Sequence, residues 1–192
     1  MLGAYAALAL AAAAHAAPAV PSFEQSLTQI HSTVLAANAH LIAEEQLKKA
    51  DRNVSLTSNQ AWQARSNIST LRANARNNPR DPMLGNQIYR TENDLDAYAR
   101  NCETVRKQVV ALAQTAVKDP ALAALARKLY DHSRALDSNA GWLTVEARNA
   151  NMDLSMAGYG GQAYRLQRLA EAGGALTPET RTAAKTVLEK TQ

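Results

Sequence analysis

Two histidines lie beside residues with which they could do chemistry. His40 and Glu44 are four residues apart, the spacing at which two side chains on one helix face can share a metal ion. A metal site needs three or four ligands, and no Glu-x-x-His or His-Glu-x-x-His partner occurs elsewhere in the sequence. Asp131, His132 and Ser133 have the residue types of a catalytic triad, but consecutive side chains point in different directions. We therefore predict no metal here and a packed histidine at position 132.

The sulfur-containing residues also favour packing over chemistry. Cys102 is the single cysteine, which excludes an internal disulfide and any multi-cysteine metal site. It falls in an apolar row, where a thiol behaves as a small apolar group; pairing with a second chain stays open. Met152 and Met156 have no neighbouring His or Cys that would make a soft-metal site. The sequence predicts no catalytic residue, no cofactor and no metal, so we expect a protein that is not an enzyme.

One group of side chains predicts a partner surface instead. Trp62 lies beside an apolar row, as Trp142 does, and exposed aromatic residues favour protein interfaces. The basic residues nearby are opposed in sequence only by Asp81, and they are Arg65, Arg72, Arg76 and Arg80. The alternatives are a solvated face and a site for an acidic partner or lipid head group. The predicted partner surface consists of Trp62, Arg65, Arg72 and Arg76.

Composition narrows the class of protein. The chain has 21 basic and 17 acidic residues, a formal charge of +4, and these are scattered along its length. That distribution is no nucleic-acid signature. Apolar residues make up 46%, much of it alanine, with a single Phe. Such material suits thin contacts between helices better than a thick globular core.

The N-terminus has the pattern of an export signal. Residues 4–14 form a short apolar run, followed by Ala14-His15-Ala16-Ala17-Pro18, which predicts cleavage after Ala16. Residues 1–3 contain no Lys or Arg, so an alanine-rich helix that is kept is the alternative. The run is shorter than the roughly 20 apolar residues that span a bilayer. We expect a periplasmic or secreted bacterial protein whose membrane contact is limited to residues 1–16.

The elements that position these residues are helices. Residues 22–78 contain no Gly or Pro, and Ser22 with Gln25 forms a capping-box pattern, so we predict one long helix over 22–76. Its first apolar row is Phe23, Leu27, Ile30, Val34, Ala37 and Leu41. Its second row is Leu47, Ala50, Val54, Thr57, Ala61, Ala64, Ile68, Leu71 and Ala75. The rows are one residue out of phase, and the polar stretch 51–60 is where a break would fall.

The rest of the chain repeats the helical pattern. We predict helices over 87–118 and 120–157, separated at Asp119-Pro120, and short helices over 162–172 and 178–189. No segment alternates apolar and polar residues with β-branched enrichment. The prediction is an all-α protein, an elongated antiparallel bundle of three long helices with coiled-coil-like seams plus short C-terminal helices. Residues 17–192 would form a single domain.

The stretch from Asn101 to Ser138 resembles a known family. It includes ETVRKQVVALAQTAVKDPALAALARKLYDHSRALDS, which is similar to the segment of VirB5-like type IV secretion proteins where two long helices meet at an Asp-Pro turn. The start Ala17-Pro18-Ala19-Val20-Pro21-Ser22 is similar in kind to the start of the mature proteins of that family. The resemblance implies an exported minor component of a conjugation-type pilus, without a catalytic site, that works through contacts with other proteins. A homo-oligomer is a further alternative.

A second resemblance competes with the first. Gln60-Ala61-Trp62-Gln63-Ala64-Arg65-Ser66 and the alanine-rich start resemble small internal virion proteins of T7-like podoviruses. That likeness implies an ejection protein whose N-terminal stretch is kept and helps it enter a membrane. A periplasmic helical-bundle binding protein is the third alternative.

Overall fold

The computed structural model describes residues 22–192, and these residues form helices without any strand. The helices are α1 (Phe23–Asn77), α2 (Leu84–Thr115), α3 (Ala123–Met156), α4 (Gly160–Gly174) and α5 (Thr177–Thr191), with one 3-10 turn at Pro120–Leu122. The predicted all-α class and the helical bundle are confirmed. Ala16 and the predicted signal over 1–16 lie outside the described residues. The chain divides into two compact units, Met1–Asn38 and Ala39–Gln192.

The described part of the first unit is helical. The predicted capping box is formed: the backbone N–H of Ser22 donates to Gln25 Oε1 at 2.9 Å, and the N–H of Gln25 donates to Ser22 Oγ at 3.2 Å. All large apolar side chains of this segment are exposed, and they are Phe23, Leu27, Ile30, Val34 and Leu35. The first predicted apolar row therefore has no core to face within the first unit.

In the second unit, α1 passes through the polar stretch 51–60 without a break. The polar residues of this stretch form contacts with neighbouring helices: Asp51 and Ser58 with α3, Asn53 and Gln60 with α2. Thr57 bonds back to the carbonyl of Asn53 at 2.8 Å, an arrangement that a helix tolerates. The polarity of 51–60 therefore reflects lateral contacts and not a weak point.

The helices of the second unit form a bundle with four helix positions, of which α1, α2 and α3 occupy one each. The segment of α1 after Asn38 pairs antiparallel with α2 and parallel with α3. The fourth position is shared by α4 and α5, which follow one another in series and run antiparallel to α3 and parallel to α2. Among the described helices, α2 and α3 have almost no direct backbone contact with each other, so they occupy opposite corners. The connection from α2 to α3 therefore crosses one end of the bundle diagonally.

The core follows the second predicted row of α1, whereas the large side chains of the first row are exposed. All nine residues of the second α1 row are buried. The core also takes buried side chains from α2, among them Ile88, Leu95, Tyr98, Cys102, Val105 and Val109, and from α3, among them Leu129, Leu136, Leu143, Ala147, Ala150 and Leu154. Most of these side chains are aliphatic or Ala, and they repeat at heptad-like steps, so burial is spread thinly along the bundle axis.

Three helix limits differ from the sequence prediction by three residues: both ends of α2, and the start of α3, which is Ala123 in place of predicted residue 120 because Pro120–Leu122 form the 3-10 turn. α2 begins at Leu84, three residues before predicted residue 87; its N-cap residue is Met83, which has no capping side chain, and the backbone N–H of Met83 donates to Asp81 Oδ1 at 2.8 Å in the turn that precedes the helix. It ends at Thr115, three residues before predicted residue 118, because Ala116 turns to an extended conformation. Asp119 is extended as well and caps the 3-10 turn through the N–H of Ala121. The diagonal crossing needs these extended residues.

The end of α4, before α5 begins, lies beside a buried tyrosine. Gly173, near the end of α4, packs directly on the ring of Tyr98, where a Cβ would overlap the ring. Gly174 leaves room for Thr144 of α3, whose Oγ1 would lie 2.9 Å from an added Cβ. Because Gly173 and Gly174 have no side chain, the end of α4 can approach α2 and α3 closely.

Within the described residues, no helix combines the length and apolar character needed to cross a membrane.

Candidate interaction surface

The contact between α1 and α2 is a ladder of polar side-chain pairs. Each partner recurs after seven residues on its own helix, so the pairs repeat once per two helical turns. The four rungs, with donor–acceptor distances, are Asn53–Gln108 at 2.9 Å, Asn101–Gln60 at 2.8 Å, Asn67–Asp94 at 3.4 Å and Asn74–Gln87 at 2.9 Å. Because an amide shifted off the seven-residue step loses its partner, the ladder disfavours a slip of one to six residues between the two helices.

A second ladder joins α1 to α3, with partners 81 positions apart in sequence. Its hydrogen bonds are His132 Nδ1–Asp51 Oδ1 at 2.6 Å, Asn139 Nδ2–Ser58 Oγ at 3.0 Å and Arg72 Nε–Asp153 Oδ2 at 2.6 Å. At the level between Ser58 and Arg72, Arg65 instead lies over the ring of Trp142, 5.4 Å from the ring centroid. This is a cation–π contact.

Arg72 and Arg76 belong to an ionic network on this side of the bundle. Arg72 donates to Asp153 and to Glu146 Oε1, at 3.2 Å for the latter, and Arg76 Nε lies 2.9 Å from Asp153 Oδ1. Hydrogen bonding from Arg76, and then from Arg72, lowers the pKa of the buried Asp153 carboxyl against the opposing effect of burial. The hydrogen bonds that Arg72 donates to Asp153 and Glu146 raise the pKa of Arg72.

This network corrects the prediction of an unopposed basic cluster. For Arg72 and Arg76 that prediction is wrong, because α3 supplies two carboxylates that the local sequence does not contain. Glu146 and Asp153 are seven residues apart, as Arg65 and Arg72 are. That shared heptad step was the available signal, but using it requires knowing that α1 and α3 lie side by side and run in the same direction.

The exposed part of the α1–α3 side is aromatic. Trp62 is 59% exposed and Trp142 is 55% exposed. Trp62 precedes Arg65 by one helical turn, so the two share a face of α1. Val145 and Met152 of α3 are also exposed. We call Trp62, Arg65 and Trp142 the aromatic surface; the sequence prediction included the first two residues and left out Trp142.

The four predicted partner residues thus have two different environments. Trp62 and Arg65 belong to the aromatic surface, whereas Arg72 and Arg76 are bound to α3 carboxylates. Arg72 is largely covered and Arg76 is half exposed. Trp62 and Arg65 are therefore open to contact with another molecule, whereas Arg72 and Arg76 hold α1 against α3 through Asp153.

The histidines pair with carboxylates across the bundle. His40 Nδ1 lies 2.6 Å from Asp119 Oδ2, while Glu44 binds Lys48 at 2.6 Å, so His40 and Glu44 have different partners. The hydrogen bond from His40 is the main cause that lowers the pKa of Asp119. His132 is partly exposed and bound to Asp51. Among residues 22–192, no group of three or more His, Cys, Asp or Glu side chains could hold a metal ion.

The described residues define an all-α bundle with polar lateral ladders and two exposed tryptophans, one of which lies under Arg65. No family model matches the chain, and no curated protein and no solved structure matches it. The resemblances to VirB5-like proteins and to podoviral virion proteins therefore stay predictions.

Proposed function

We propose that this protein is an exported, non-catalytic interaction protein that binds another protein through the aromatic surface. The observation that carries the proposal is the pair Trp62 and Trp142, each more than half exposed with Arg65 lying over one of them. Trp and Arg are the residue types most enriched among side chains that dominate binding energy at protein interfaces. Large indole rings left in water gain by burial against a partner.

The setting of the aromatic surface supports the same proposal. Arg65 is flanked on α1 by Ser58 and Arg72, which are both bound to α3. These contacts hold the two helices in one register, so the tryptophans are positioned before a partner arrives. A pre-positioned surface spends little of its binding energy on ordering itself.

The class of partner follows from the resemblance to VirB5-like proteins. On that basis we propose a minor pilus component of a type IV secretion system, with other pilus or secretion subunits as partners and a periplasmic or secreted location. The turn at Asp119-Pro120 between α2 and α3 supports the proposal, because the resemblance implies a turn at that place. A podoviral ejection protein is the alternative, and the intact mass of the protein in its native setting separates the two. Loss of residues 1–16 supports export, whereas retention of the first residues supports the ejection protein.

The experiment for the aromatic surface is site-specific photo-crosslinking in the cells that produce the protein. A photoreactive residue replaces Trp62 or Trp142 in separate variants, and a third variant carries it in place of Tyr164 of α4. Tyr164 is the matched control because it is an aromatic residue of similar exposure outside the aromatic surface. We expect positions 62 and 142 to give the same protein adduct, and Arg65→Ala to weaken it. Equal adducts at all three positions, or none at positions 62 and 142, would refute the proposal.

A further inference from the structure

The described part of the first unit presents an apolar stripe to solvent. Phe23 is 78% exposed, Leu27 49%, and Ile30 and Val34 60% each. These residues follow one another at steps of four, three and four, the spacing of core positions in a coiled coil. We call these four residues the N-terminal stripe.

We propose that the N-terminal stripe binds the same stripe of a second copy of this chain, in a helix–helix contact of the coiled-coil type. A stripe with this spacing is complementary to itself, because each side chain fits the space between residues of an identical helix. The inference is independent of the aromatic surface, which lies on other residues.

The charge of the segment favours a second copy over other occupants. Between residues 22 and 39 the only acidic or basic side chain is Glu24, and His31 is the only other titratable one. Two copies therefore meet without a row of like charges along the stripe. Helices that lie on lipid surfaces carry Lys and Arg on the polar face, whereas the polar residues here are Ser, Thr, Gln and Asn together with Glu24 and His31. A strongly charged protein partner would likewise find no complementary charge.

The area of the stripe sets the strength of the contact. From the exposed fractions, its four side chains offer on the order of 300 Å² of apolar surface per copy. Stable protein interfaces bury about 800 Å² per partner, so this contact falls in the small, weak class. We therefore expect association that depends on protein concentration and not a permanent dimer.

The test is sedimentation velocity of the purified protein over concentrations from about 1 µM to about 500 µM, the range in which weak interfaces associate. The test variant is Ile30→Asp, which places a charge in the stripe. The matched control is Gln29→Asp, which adds the same charge one residue away, off the stripe. Circular dichroism and thermal unfolding of each variant check that the bundle of residues 39–192 is intact.

We expect the wild-type protein and the Gln29→Asp variant to gain mass with concentration, and Ile30→Asp to weaken the association at least about tenfold, since a desolvated unpaired charge opposes binding. Trp62→Ala should associate like the wild type, which separates this inference from the proposed function. A wild-type protein that stays monomeric throughout would overturn the inference, as would equal association of the two Asp variants. Flotation with phosphatidylglycerol vesicles that is lost in Ile30→Asp, with no self-association in solution, would assign the stripe to membranes instead.

Discussion

The two glycines Gly141 and Gly173 should respond in opposite ways to substitution by alanine. Both lie in helices, Gly141 within α3 and Gly173 in α4, and neither has a positive φ, which Gly158 alone has among the glycines of the described residues. In a helix, replacement of Gly by Ala gains about 0.5–1 kcal/mol from backbone entropy and propensity. Any difference between the two sites therefore measures what the added methyl group meets.

At Gly141 the added Cβ meets nothing within 4 Å, so Gly141→Ala should stabilise the protein by the full 0.5–1 kcal/mol or so. At Gly173 the Cβ overlaps three carbons of the Tyr98 ring. Tyr98 is fully buried and cannot swing into solvent. Overpacking of this kind costs about 1–3 kcal/mol, which outweighs the helix gain, so we expect Gly173→Ala to destabilise the protein by up to about 2 kcal/mol.

Urea and thermal unfolding followed by circular dichroism measure both effects. For a chain of this length, 1 kcal/mol corresponds to about 2–4 °C in the unfolding midpoint. A double-mutant cycle with Tyr98→Leu tests the cause, because the smaller side chain makes room for the methyl group and should reduce the cost of Gly173→Ala. Close packing of α4 on Tyr98 would be refuted if Gly173→Ala proved as stable as Gly141→Ala, or if Gly173→Ala destabilised the Tyr98→Leu variant as much as the wild type.

Two further predictions concern the buried polar groups of the bundle. Tyr98→Phe should leave stability unchanged or raise it by about 1 kcal/mol, because the buried Tyr98 hydroxyl makes no hydrogen bond of ordinary geometry among the described residues and has only the weakly accepting Cys102 thiol beside it; a loss above about 1 kcal/mol in urea unfolding would reveal a bond that the hydroxyl makes. Asp153→Asn should cost on the order of 1–3 kcal/mol at neutral pH, since it weakens charge-assisted bonds to Arg72 and Arg76. Because the folded pKa of Asp153 is depressed, its contribution is present above the ordinary carboxyl pKa of about 3.9 and is lost as pH falls through the lower folded value. The stability gap between wild type and Asp153→Asn should therefore narrow on acidification, and a gap independent of pH would contradict the ionic role.

The sequence could predict which residues form the core because burial in a helical bundle follows a local period. The row from Leu47 to Ala75 repeats at three- and four-residue steps, and all of its residues are buried. The row from Phe23 to Leu41 has the same period, yet its large side chains are exposed. Periodicity tells which face of a helix is apolar, but not whether a neighbouring helix covers that face.

The partners of the polar side chains could not be predicted in the same way, because they depend on how helices are arranged. Arg72 meets Asp153 only because α1 and α3 are parallel neighbours whose paired residues lie 81 positions apart. The polar side chains that join α1 to α2 therefore have a different role from those that join α1 to α3. In the contact with α2, three rungs pair two neutral amides and one pairs Asn67 with the Asp94 carboxylate, whereas the contact with α3 places ion pairs beside an exposed aromatic surface. Ser58 and Arg72, seven residues before and after Arg65, form hydrogen bonds to α3, whereas Arg65 lies over the ring of Trp142. The second ladder is therefore interrupted at the position that we propose binds a partner.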